Sequence, residues 1–190
     1  AAVVLVHIGG IIAPFAAEVR DIAHEHGALL LEDAAHAHTS HLDGVGRAGT
    51  IGDIAAFSFF PTKVMTTGEG GMITTASEEL HRACREIKMF GADLKGGTSR
   101  LVCLRPDGTN GRVPELSALL GLLECGRVRQ RVARRQELVA EYARGLSGCA
   151  AYRVLLQPGG SCSYYKCIVR VLGGLDRALV RDFAQARGVT

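Results

Sequence analysis

Phe57-Ser58-Phe59-Phe60-Pro61-Thr62-Lys63-Val64-Met65-Thr66-Thr67-Gly68-Glu69-Gly70-Gly71 is the stretch whose reading decides the fold. The apolar run Ile54-Ala55-Ala56-Phe57 leads into it and predicts a buried strand over 54–60 that carries Ser58 and delivers Lys63 into a loop. Pro61 stops that strand, because a proline has no N–H for a ladder and its ring fixes φ. Thr66, Thr67, Gly68, Gly70 and Gly71 then let the chain turn tightly beside something bulky. A loop lysine is ordinarily a solvated charge. Beside apolar walls, however, a lysine amine becomes a nucleophile for carbonyl groups. Its neighbours in the fold decide between the two.

Upstream, Gly27 precedes the apolar run Ala28-Leu29-Leu30-Leu31, which ends in Glu32-Asp33-Ala34-Ala35-His36. This predicts a central parallel strand with an acid at its carboxyl end, where open α/β sheets bind ligands. Asp33 and Lys63 are therefore expected to face one cleft from neighbouring strands. A carboxylate that keeps a pyridine nitrogen protonated and a lysine that forms an imine are what pyridoxal phosphate requires. Taken alone, Asp33 also reads as an ordinary turn cap.

The motifs E-D-A-A-H-A-H (32–38), F-S-F-F-P-T-K (57–63) and G-E-G-G-M-I-T-T (68–75) together resemble the DegT/DnrJ/EryC1/StrS family of pyridoxal-phosphate sugar aminotransferases. The likeness runs from about Val3 to Val171. It implies a fold-type I α/β architecture: part of a large domain with a mixed, mainly parallel sheet and flanking helices, then the start of a small C-terminal domain. By position, Lys63 matches the Schiff-base lysine and Asp33 the acid at the pyridine nitrogen. His36 matches a residue near the phenolic oxygen, Ser58 a phosphate ligand, and Asn110 an asparagine that reaches the phosphate of a neighbouring subunit. The implied activity is transamination of a keto sugar, nucleotide-activated in most members, or of a keto cyclitol. Glutamate or glutamine is the implied donor, and a cytoplasmic homodimer with shared sites is the implied assembly. Departures are Thr39, where many members have glycine, and the lack of an aromatic residue after Asn110. The upstream phosphate loop and the stacking aromatic of the family precede Ala1, and family members are longer. The chain is accordingly expected to be a fragment.

Of the 190 residues 47% are hydrophobic, with no run of membrane-spanning length. The N-terminus carries no charged leader and opens on what reads as a buried strand, Val3–Ile8. A net charge of +3 does not call for a polyanionic partner. Six cysteines without a C-x-x-C pair argue against a zinc site or a disulfide framework.

Along the chain, Phe15, Val19, Ile22 and Ala23 have helical spacing, and Gly27 stops that helix. Residues 36–52 read as a polar loop and Met72–Thr75 as a strand. Ser77 caps a helix with the buried stripe Leu80, Cys84 and Ile87, ended by Gly91. The glycine-rich stretch 91–112 reads as a functional loop. Pro114 starts a long helical region whose apolar face is Val128, Val132, Val139, Tyr142 and Leu146. Gly121 and Gly126 mark a break or a close contact. The large-domain portion is assigned to 1–148. Residues 149–190, with a strand over 164–172 and a helix over 175–187, are assigned to the small domain.

Other readings compete with this one. A dehydratase of the same family would use the same cofactor, but the family pattern there has histidine in place of Lys63. His36, His38, His41, Glu32 and Asp33 are metal-ligand types, yet their spacing matches no zinc signature. Arg127, Arg129, Arg131, Arg134 and Arg135 could meet nucleic acid in a regulatory protein. Without a helix-turn-helix or stacking aromatics they read as a solvated or subunit-facing surface, so no nucleic-acid or membrane partner is expected.

Overall fold

The structure is a computed structural model that describes residues 1–92, 106–174 and 176–189. Its centre is a four-stranded sheet in the order β1-β2-β5-β6, formed by β1 (Ala2–Val6), β2 (Leu29–Asp33), β5 (Ile54–Ser58) and β6 (Gly71–Thr75). The first three strands run parallel and β6 antiparallel, giving the mixed, mainly parallel sheet that the motifs imply. Helix α1 (Ala16–Glu25) makes the crossover between β1 and β2. Gly27 takes φ +65° after it, in the left-handed region that glycine enters without a Cβ penalty.

Two expectations about this sheet need correction. β1 is not buried: Val4 is 60% and Val6 45% exposed, and among the described residues β1 is the edge of the sheet, paired with β2 alone. Residues 36–52 are not a plain polar loop. They contain the antiparallel pair β3 (His41–Leu42) and β4 (Gly46–Arg47). Leu42 and Ile51 also pack with Ile12 and Ala16 as a core cluster.

Helix α2 (Glu78–Lys88) is capped as expected, the Ser77 hydroxyl accepting from the Leu80 N–H at 3.3 Å. Its apolar stripe of Leu80, Cys84 and Ile87 is only half-buried. Gly91, at φ +73°, closes the helix by donating to the Glu86 carbonyl at 2.9 Å. The central part of the 91–112 loop, residues 93–105 with Cys103, lies outside the described residues.

Pro114 is the N-cap of α3 (Glu115–Cys125), Gly126 its C-cap, and α4 (Val128–Leu146) follows. Val128, Val132 and Val139 are buried on α4, whereas Tyr142 at the same face is exposed. Strands β7 (Tyr152–Val154) and β8 (Val169–Val171) form a separate antiparallel pair, followed by α5 (Arg177–Gln185). The strand expected over 164–172 is thus confined to its last part. Tyr164 takes φ +41°, and the Arg135 guanidinium holds the carbonyls of Tyr164 and Tyr165 at 3.3 Å each, so these carbonyls serve α4 and no ladder.

Candidate active site

Asp33 is the last residue of β2, and β5 beside it ends at Ser58. The two strands are parallel, with Asp33 in register with Ala56, so both carboxyl ends open on the same side. β5 and β6 are joined by a loop over 59–70 that carries Lys63. The Phe59 N–H donates to the Gly70 carbonyl at 2.8 Å and the Thr67 N–H to the Phe59 carbonyl at 3.0 Å, which closes the base of the loop. Val64, 1% exposed, plugs into the cluster of Val128 and Val132 on α4. The residue next to the lysine is thereby an anchor, and Lys63 itself stays half-buried at the surface of the cleft.

His36 reaches the same cleft. Its Nδ1 accepts the Gly9 N–H at 3.2 Å, which requires a neutral ring to carry its proton on Nε2. Burial, then the charge of Lys63, pushes the imidazole below its ordinary range; Asp33 opposes this and Lys166 adds to it. Asp33 and Lys63 are therefore both within electrostatic reach of His36. Asp33 Oδ1 accepts the Ala35 N–H at 3.0 Å, so the turn-cap role exists, but it occupies one oxygen only. Among the described residues no cation pairs with Asp33 and no carboxylate pairs with Lys63.

Ser58 stands at the end of β5, where its hydroxyl accepts the Phe60 N–H at 3.3 Å. Asn110 is not part of the cluster. It lies exposed in a β-bridge to Met89, beyond the end of α2, and makes no hydrogen bond with Asp33, His36, Ser58 or Lys63.

Three features were not foreseen from the motifs. Glu32, fully buried beside Asp33, spends both oxygens internally. His7 Nε2 donates to it at 2.9 Å, as do the N–H groups of Gly49 (2.9 Å), Ile51 (2.8 Å) and Gly52 (2.7 Å). Burial alone would push this carboxyl up, but those bonds together hold it below its ordinary value. His38, 5% exposed, packs against Phe57 and Phe59 with both ring nitrogens unpartnered. Burial first, then the charges of Lys63 and His36, lower its pKa to about 4; the Ser58 backbone opposes this, its approach falling short of a hydrogen bond of good geometry. Tyr165 enters from the far end of the chain: its ring lies 4.5 Å from that of His36, and the Lys63 Nζ sits 4.7 Å from its centroid.

The metal-ligand types are occupied otherwise: Glu32 holds its loop, His36 takes an N–H, and His38 sits among phenylalanines. Among the described residues no three His, Cys, Asp or Glu side chains come together as a metal site. Four of the five arginines at 127–135 are also engaged. Arg131 pairs with the buried Glu124, which Arg127 approaches at 3.8 Å; Arg134 pairs with Glu137 and Arg135 holds the Tyr164–Tyr165 carbonyls. No helix among the described residues is long and apolar enough to cross a membrane.

The profile of the DegT/DnrJ/EryC1/StrS aminotransferase family matches residues 1–190. The chain belongs to this family. A GDP-perosamine synthase from Caulobacter vibrioides is 36% identical over 129 residues, covering 68% of this chain and 33% of that protein. The solved structure of DesI in the presence of its TDP-sugar product superposes with a TM-score of 0.85 at 32% identity, covering 99% of this chain and 47% of DesI. The fold is thus that of the fold-type I aminotransferases. An E. coli GDP-4-keto-6-deoxy-D-mannose-3-dehydratase with bound hydrated PLP, 21% identical, shares it with a TM-score of 0.86, covering 98% of this chain and 51% of the dehydratase. The chain spans about a third of the length of the first relative and about half of the two solved ones.

Proposed function

We infer that the protein containing this chain transfers an amino group to a keto sugar, nucleotide-activated, or to a keto cyclitol, using pyridoxal phosphate. The observation that carries this reading is the convergence of Asp33, His36 and Lys63 at the carboxyl ends of β2 and β5, with Asp33 and Lys63 lacking ionic partners among the described residues. The donor set fits the cofactor: an amine for its aldehyde, a carboxylate oxygen for a ring N–H, and an imidazole N–H for its phenolic oxygen. When bound, the cofactor supplies an electron sink that eases loss of a proton from the amino-bearing carbon.

Each residue then has a task that its surroundings suit. Asp33 accepts the pyridine N–H with the oxygen that the Ala35 turn does not use. His36, kept neutral by burial and Lys63, donates from Nε2 because Gly9 occupies Nδ1. Lys63 would hold the cofactor through its amine and would serve as the base and acid that takes and returns the proton of the substrate carbon. Ser58 offers a hydroxyl to the phosphate, and Asn110 reaches the phosphate of a second subunit, so a homodimer would share its sites. The exposed row Leu116, Leu119, Leu122 and Leu123 on α3 supports such a partner surface. Glutamate or glutamine is the donor this reading assigns, the cytoplasm the compartment, and 1–148 and 149–190 the parts of the large and small domains.

The test uses the full-length protein. Purified with pyridoxal phosphate, it should absorb in the visible, and borohydride followed by peptide mapping should place the cofactor on Lys63. Lys63→Ala should abolish amino transfer and leave the circular dichroism unchanged. Labelling of another lysine, or loss of secondary structure in Lys63→Ala, would remove Lys63 from this role.

A further inference from the structure

The segment 162–166 is threaded into the lysine site from one side, and its anchoring is more elaborate than a linker requires. Cys162 and Ser163 are buried, and the Ser163 hydroxyl donates to the His36 carbonyl at 2.6 Å. The Tyr164 backbone is left-handed at φ +41°, which for a bulky residue costs energy and must be enforced by its surroundings. Arg135 does so by holding the carbonyls of Tyr164 and Tyr165. The result is that the Tyr165 ring lies against two groups of the site. One is the imidazole of His36 at 4.5 Å and the other is the Lys63 ammonium at 4.7 Å. A hydrogen bond of 2.8 Å between the Tyr165 and Thr62 hydroxyls ties the ring edge to the residue preceding the lysine.

We propose that Tyr165 is a positioning residue for Lys63: its aromatic face cradles the lysine amine whenever that amine is not bonded to the cofactor. The proposal rests on the reading of Lys63 as the cofactor lysine. In amino transfer that lysine must leave the cofactor and rejoin it within one turnover, and a long flexible side chain loses time and entropy if released into water. A ring face attracts an ammonium through its quadrupole and holds it without a carboxylate, whose stronger pairing would lock the amine as a cation. Lys166 lies 4.9 Å from the same centroid. Thr62, Lys63, Lys166 and Arg135 hold the phenol below its ordinary value, the Thr62 bond contributing most among them, while burial opposes. The hydroxyl thus has a partner in Thr62 and the face is left for cations.

The experiment reads Lys63 in the full-length protein stripped of cofactor, by its trinitrobenzenesulfonate labelling against pH, with mass spectrometry of the Lys63 peptide. Wild type, Tyr165→Leu and Tyr165→Phe are compared. Loss of the ring face should move the labelling midpoint of Tyr165→Leu down by about half a pH unit, the size expected for one cation–π contact. Tyr165→Phe, which keeps the face, should track wild type. A change of access alone would scale the rate at every pH without moving the midpoint. Should Tyr165→Leu give no cooperative melt, Tyr165→Met fills the same space without a π face and carries the same readout. An unmoved midpoint in the faceless variant, or an equal shift in Tyr165→Phe, overturns the proposal. Wild-type protein that takes up no pyridoxal phosphate overturns the proposed function instead, and leaves the labelling comparison readable.

Discussion

His38 is the residue whose environment has the most direct consequence for stability. Its ring is enclosed by Phe57 and Phe59, its nitrogens have no partners, and its pKa falls from 6.5 to about 4. A folded-state pKa below the unfolded one means that the unfolded chain binds the proton first. Stability is therefore complete above about pH 6.5 and is lost as pH falls towards 4, by on the order of 3 kcal/mol. Urea unfolding of the full-length protein between these pH values should show that slope, and His38→Leu should flatten it. At pH 7 the leucine should cost little, since it leaves no polar atom unpaired. His36, also held below its ordinary value, adds a smaller slope of the same sign, so an undiminished slope in His38→Leu would place the titration elsewhere. Glu32 is the opposite case, a buried carboxylate with every bond made. Glu32→Ala strands His7 and three loop N–H groups and should cost about 3–5 kcal/mol in the same assay, a loss that an innocuous surface glutamate would not produce.

Among the elements, α3 and α4 are set against the lysine loop by close approach as well as by apolar burial. A Cβ on Gly121 would lie 2.9 Å from Thr67 Cγ2, and Thr67 is stiff, with its hydroxyl bonded to the Glu69 carbonyl. A Cβ on Gly145 in α4 would meet nothing within 4 Å. Alanine gains about 1 kcal/mol over glycine inside a helix, but overpacking costs about 1–3 kcal/mol. Gly145→Ala should therefore raise the melting temperature and Gly121→Ala lower it. Equal stabilisation by both would mean that α3 is not seated on the loop. Much of this scale is legible in the residues: Pro114, Gly126, Ser77 and Gly91 sit where helices begin and end, because caps and left-handed turns are made by groups a few positions apart. The exposure of β1 and the pairing of β3 with β4 are not legible, because an apolar run reads alike in an edge or a central strand.

For the whole molecule the question is where Asn110 acts. In this chain it is bridged to Met89 and exposed, apart from the Lys63 cluster. The proposed shared site has it donate to the phosphate of a second subunit. A hydrogen bond to a charged group contributes roughly 1.5–3 kcal/mol. Asn110→Ala in the full-length enzyme should thus weaken cofactor binding by roughly 10- to 100-fold. Mixed with Lys63→Ala it should recover some activity, since one of the two mixed sites carries both intact residues. No recovery despite demonstrated subunit exchange would put Asn110 to work within its own chain. The sequence by itself determined the main alternation of strands and helices, several of their caps, and the placing of Asp33 at one strand end with Lys63 in the loop after the neighbouring strand, because hydrophobic period and turn chemistry are local. Only the tertiary structure decided that Glu32 clamps the 49–52 turn, that His38 is sealed without a partner, and that Tyr165 lies on Lys63. The hydroxyls of Thr62 and Tyr165 are 103 residues apart along the chain, and their meeting depends on the path of α4 and on Arg135 holding two carbonyls, to which no local pattern of residues corresponds.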